Sequence, residues 1–158
     1  MRPRIMMTAA LAATLAATGV ARAKDCTDVS GPFSAVPPAS CASPVHICTH
    51  GQLTGGLTAT YDFVADTQTV VGPTATLTGQ STITADKGGA VLLGQDTSTL
   101  SLETGAFATT VHIVGGTHQY KNASGTIVAV GVFDFATGGT AGTYTGTICK
   151  HSEGDEDE

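Results

Sequence analysis

Along residues 53–65, LTGGLTATYDFVA, the chain keeps a two-residue beat: Leu53, Gly55, Leu57, Ala59, Tyr61, Phe63 and Ala65 share one parity, while hydroxyls and Asp62 occupy most of the other. A strand alternates its side chains between two faces, so this beat predicts a strand with one apolar face. The beat returns over 74–84, where Ala75, Leu77, Gly79, Ser81 and Ile83 oppose Thr74, Thr76, Thr78, Gln80, Thr82 and Thr84. DKGG at 86–89 then reads as a turn, because glycine accepts the positive φ of tight hairpins. Shorter strands are expected at 90–95 and 98–103, followed by 106–114 with Phe107, Thr109, Val111 and Ile113 on one side. Strands at 125–135 and 140–149 flank the turn ATGG and finish the series.

Nothing along the chain repeats at helical spacing, and the turn signals lie close together. That organisation predicts an all-β domain of seven or eight antiparallel strands in up-and-down order. A closed eight-stranded barrel of calycin-like shape is the expected architecture because closure removes exposed edges; a two-sheet β-sandwich is the alternative. Gly55, Gly79, Gly131, Gly142 and Gly146 fall on the inward parity, where a missing side chain permits sharp coiling or leaves room inside.

The ends of the chain bound this domain. Arg2 and Arg4 precede a small, apolar run from Ile5 to Val20 that closes on Ala21-Arg22-Ala23. Residues 1–23 therefore read as a secretory signal peptide, and no later stretch is long and apolar enough for a membrane-spanning helix. Residues 24–51 form a Pro-rich lead-in, 52–149 the barrel, and 150–158 an acidic tail expected to be disordered. Beyond residue 23 the only lysines and arginines are Lys24, Lys87, Lys121 and Lys150, against thirteen acids in the whole sequence. So acidic a chain has little with which to neutralise phosphates, which argues against a nucleic-acid partner.

Cys26, Cys41, Cys48 and Cys149 all lie in the exported part and are expected to form two disulfides. Cys48 precedes the first clear strand and Cys149 ends the last, so the expected pairing is Cys48–Cys149 across the barrel seam, with Cys26–Cys41 stapling the lead-in. Chain entropy assigns the long bridge on the order of 4–5 kcal/mol and the short one about 3 kcal/mol. His46-Ile47-Cys48-Thr49-His50 offers ligand types for a metal, but an extended segment spreads them too far apart, and no metal or cofactor is expected.

Residues 113–149 hold a run, IVGGTHQYKNASGTIVAVGVFDFATGGTAGTYTGTIC, that resembles the allene oxide cyclase and dirigent protein barrel-like group. In that group a strand leads through a Gly-Gly-Thr-Gly-x-Phe/Tyr-x-x-Ala-x-Gly turn into a final hairpin. The matching positions are Gly115, Gly116, Thr117, Tyr120, Ala123 and Gly125, with His118 where the pattern has glycine. The resemblance implies an eight-stranded barrel with a partly apolar cavity at one end, and a small secreted bacterial member of the group. It carries no catalytic residue across, and the absence of arginine beyond residue 22 departs from chemistry that would use one.

The side chains offer little else for catalysis. There is no G-x-S-x-G elbow, His112 falls outward, and Asp62 and Asp134 are mid-strand acids on the outward parity. The inward aromatics Tyr61, Phe63, Phe107, Phe133, Phe135 and Tyr144, together with Tyr120, are the candidate lining of a ligand cavity. Three functions follow from this chain: a barrel that binds a small apolar or aromatic molecule, a cofactor-independent cyclase or isomerase with a tyrosine as hydrogen-bond donor, and a disulfide-stapled extracellular structural protein with a filled interior.

Overall fold

The computed structural model describes residues 24–151; the expected signal peptide and all of the acidic tail beyond His151 lie outside them. The strands are β1 Lys24–Val36, β2 Cys48–Leu53, β3 Ala59–Val71, β4 Thr74–Ala85, β5 Val91–Ser101, β6 Ala106–Gly116, β7 Ser124–Phe133 and β8 Thr140–His151. Each pairs antiparallel with its neighbour in sequence, and β1 pairs with β8, so the sheet is a closed barrel. The alternation predicts this all-β barrel, and the sandwich is not formed. A 3-10 turn, His118–Tyr120, joins β6 to β7. No described helix is long and apolar enough to cross a membrane.

The seam differs from the expected one. β1, assigned by sequence to a lead-in, is a full barrel strand whose register with β8 runs from Lys24 opposite His151 to Ala35 opposite Thr140. Val29, Phe33 and Ala35 bury their side chains along it, an alternation obscured by Gly31 and Pro32 between them and by the acids Asp25 and Asp28 ahead of them. Pro32 is tolerated because the β1–β2 ladder stops at Phe33 opposite Leu53, so the N–H it lacks is not called on there, while its carbonyl still accepts the Thr54 N–H at 3.1 Å. Cys26 therefore stands directly opposite Cys149, and the disulfides are Cys26–Cys149 and Cys41–Cys48. The pairing expected from sequence is wrong because it put the first strand after Cys48, at 53–65, and left β1 and most of β2 in the lead-in.

Two further differences have local causes. The apolar run at 53–65 is not one strand: β2 ends at Leu53, residues 54–58 leave the sheet, and β3 starts at Ala59. Conversely, the two short strands expected at 90–103 are the single strand β5. A bulge between Ala65 and Thr67 then shifts the register of β3, placing Gln68 opposite Leu77 and Val70 opposite Ala75.

The interior has two halves. At the end where β1 starts and β8 finishes, a cluster including Leu57, Ile83, Leu92, Ile113, Ile127, Tyr144 and Ile148 fills the barrel. Segment 54–58 makes this floor: Leu57 enters the interior, its N–H donates to the Tyr144 hydroxyl at 2.8 Å, and that hydroxyl donates to the Thr54 carbonyl at 2.8 Å. Gly31 permits the crossing, since a Cβ there would lie 1.8 Å from the Thr54 carbonyl oxygen. Tyr120, swung under the barrel by the 3-10 turn, completes the floor with Ala123, and the Lys150 ammonium lies 5.1 Å from its ring centre.

Candidate ligand cavity

Above the floor the barrel is hollow. A cavity of about 310 Å³ lies inside, at the lower end of the range for small-molecule sites. Its rim carries Leu102 and Phe135 from the hairpin turns, together with Gln68. Loop 37–47 contributes Ile47, and is held by its own contacts: the buried Ser43 hydroxyl donates to the Ala65 carbonyl at 2.6 Å, and Cys41–Cys48 closes the loop.

Alternation sets which side chains face inward. On β1, β3 and β6 it brings Phe33, Tyr61 and Phe107 together, with the Phe33 ring edge-on to Tyr61 at 6.2 Å and to Phe107 at 6.1 Å. Phe133 and Phe135 pack together nearer the mouth, at 5.1 Å. Of the seven aromatics singled out by sequence, Tyr61, Phe63, Phe107, Phe133, Phe135 and Tyr144 line the cavity. Tyr120 does not; the 3-10 turn carries it into the floor cluster.

The turn motif Gly115, Gly116, Thr117, Tyr120, Ala123 and Gly125 is architectural. Thr117 binds the start of β5 twice, its N–H donating to the Val91 carbonyl at 2.8 Å and its hydroxyl accepting the Val91 N–H at 3.0 Å. Gly116 lets these segments meet, because a Cβ there would come within 2.0 Å of the Val91 carbonyl oxygen. His118 adopts φ 52°, the left-handed conformation for which glycine is best suited, and its ring stays outside, 3.1 Å from the Thr117 hydroxyl.

The outward acids take structural roles. Asp62 pairs with His50 at 2.7 Å on the surface. Asp134 shapes the β7–β8 hairpin: its carboxylate accepts the Ala136 N–H and the Thr137 hydroxyl, and these bonds, the backbone one foremost, hold its pKa below the ordinary carboxylate value. Cys48 is consumed by its disulfide, so the His46–His50 segment loses its thiolate.

Several cavity residues went unnoticed in the sequence, Phe33 of β1 and the acid Asp96 chief among them. Asp96 points into the barrel from β5, is only 5 % exposed, and accepts the Ser81 hydroxyl at 2.5 Å on Oδ2. Its other oxygen, Oδ1, is buried and has no hydrogen-bond partner. Burial pushes its pKa up from 3.8 to about 6, with the Ser81 hydrogen bond opposing the rise. Nearby, Ser98 and Thr109 satisfy each other at 2.7 Å. Tyr61 also titrates above its ordinary value, chiefly through burial; hydrogen bonds to Thr140 and Thr49 pull the other way, and the Asp96 charge adds to the rise. The signal for Asp96 was its parity, shared with Leu92 and Leu100, but the strands expected at 90–95 and 98–103 leave Asp96 between them.

No known family profile matches the chain, and no curated protein does. Among solved structures, the pterocarpan synthase dirigent protein GePTS1 is similar over 90 % of this chain and 100 % of its own, with a TM-score of 0.53 and 16 % identity. The shared feature is the barrel fold.

Proposed function

We propose that the protein is exported and that its barrel binds a small apolar or aromatic molecule above the floor. The observation that carries this reading is the cavity itself: the lower half of the barrel is packed solid, while the same eight strands leave the aromatic-lined upper half empty. A third reading, a structural protein with a filled interior, loses its premise for the same reason. Two disulfides and the apolar leader support export to an oxidising compartment.

Titration with the neutral fluorophore N-phenyl-1-naphthylamine tests the binding. We expect saturable enhancement at one dye per barrel, abolished by Ala129→Phe, which places a ring in the cavity from β7. Lack of saturable binding, together with no co-purifying small molecule in native mass spectra of protein from its own host, would sink the reading.

Asp96 favours a second reading, a cofactor-independent cyclase or isomerase. A carboxyl that titrates near 6 inside an apolar site can both give and take a proton near neutral pH. Tyr144 is spent on the floor and Tyr120 lies within it, which leaves Tyr61 as the tyrosine able to donate to a bound molecule. The dirigent protein with the similar barrel is described as a pterocarpan synthase, so the fold accommodates chemistry on a bound molecule. A substrate whose turnover Asp96→Asn stops while its affinity persists would establish this reading over simple binding.

A further inference from the structure

The cavity wall is mostly apolar; besides Thr49, Gln68, Thr140 and the phenols of Tyr61 and Tyr144, its polar groups gather on β4, β5 and β6, which contribute Ser81, Asp96, Ser98 and Thr109. The hydroxyls are accounted for: Ser81 serves Asp96, and Ser98 and Thr109 serve each other. Asp96 Oδ1 alone is left without a partner. A buried carboxylate oxygen without a donor is costly, and one without a counter-charge more so. Among the described residues no lysine, arginine or histidine lines the cavity, and apart from Asp96 the titratable groups that line it are the phenols Tyr61 and Tyr144. Among the described residues no three metal-ligating side chains gather, so the wall offers no further ligands for a metal ion.

We propose that the barrel selects apolar ligands that carry a protonated amine, placed so that an ammonium N–H donates to the Asp96 carboxylate. This rests on the binding function proposed above and adds the headgroup chemistry. A ligand carboxylate would meet a like charge with no cation to offset it. A neutral alcohol would supply the missing hydrogen bond but leave the charge unbalanced. An ammonium supplies both, as a charge-assisted bond in a water-poor site. The rings of Phe33 and Phe107, from β1 and β6, offer the faces on which the apolar body of such a ligand packs. Because the Asp96 carboxyl titrates near 6, it is mostly ionised at neutral pH and becomes neutral in mild acid.

Competition against N-phenyl-1-naphthylamine, using 2-naphthylmethylamine and 2-naphthylmethanol, isolates the headgroup because the two share one ring system. At pH 7.5 we expect the amine to bind at least about tenfold more tightly than the alcohol. The preference should fall to within about twofold in Asp96→Asn, with the alcohol's affinity retained, and should narrow in the unmodified protein at pH 4.5. Equal affinities at pH 7.5, or a preference that survives Asp96→Asn, would overturn the proposal while leaving the barrel a binder of apolar molecules. Dye binding that neither competitor displaces has the same meaning, and failure of the dye itself to bind would overturn both.

Discussion

The two halves of this barrel use the same strands for opposite ends. Below, a five-residue segment crosses between β2 and β3, puts Leu57 inside and is fixed by Tyr144, and the 3-10 turn seals what remains. Above, the inward aromatics lean on one another around a void. An eight-stranded frame is just wide enough to be filled or to hold one small molecule. Here short irregular segments outside the strands decide which, so stability is concentrated at the floor and binding capacity at the mouth.

The disulfides offer the largest test of that contrast, since Cys26–Cys149 lies at the floor end and Cys41–Cys48 at the mouth. Replacing the first pair by serine is expected to cost about 5 kcal/mol and the second about 2–3 kcal/mol, measured by denaturant unfolding. Equal losses would mean that the seam is not what holds the barrel closed. Next come single side chains. Leu92→Ala, at a floor residue 1 % exposed, should cost about 3 kcal/mol, whereas Phe135→Ala, at a rim residue 53 % exposed, should cost under about 1 kcal/mol.

Asp96 tests the upper half from the opposite direction. Its raised pKa means that the folded chain keeps the proton at pH values where the unfolded chain has lost it. The resulting penalty is absent below about pH 4, grows as pH rises towards 6 and is complete above it. Asp96→Asn should therefore be more stable than the unmodified protein by up to about 3 kcal/mol at pH 7.5, with the difference gone at pH 3.5. A variant no more stable at pH 7.5 would show that the carboxylate has a partner in solution. The smallest effect belongs to His118→Gly, which relieves a left-handed side chain and should gain less than about 1 kcal/mol by the same unfolding measurement.

Strand identity was legible wherever the beat ran unbroken. β4 and β6 alternate cleanly, and Ile83, Val111 and Ile113 are buried as their parity predicts. What parity cannot register is a segment that leaves the sheet and re-enters it in step: Leu53, Leu57 and Ala59 share one parity, yet only the first and last lie in strands. β1 hid behind its proline and acids, and that single omission misassigned both disulfides. Most of the aromatic lining could be read from the chain, because large inward side chains announce themselves. The polar centre could not, since an acid beside Gln and Thr resembles a turn until the strand is known to continue through it.

The bridge at the seam also changes the kind of object the chain is. Cys26 and Cys149 lie 123 residues apart, and joining them turns nearly the whole described barrel into one covalent ring with short appendages. On a ring, a single peptide-bond cut releases no fragment, and a protease that opened the β3–β4 hairpin at Gly72 would leave every strand tethered from one side or the other. Such damage would pass unseen on a non-reducing gel and appear as two pieces only after reduction.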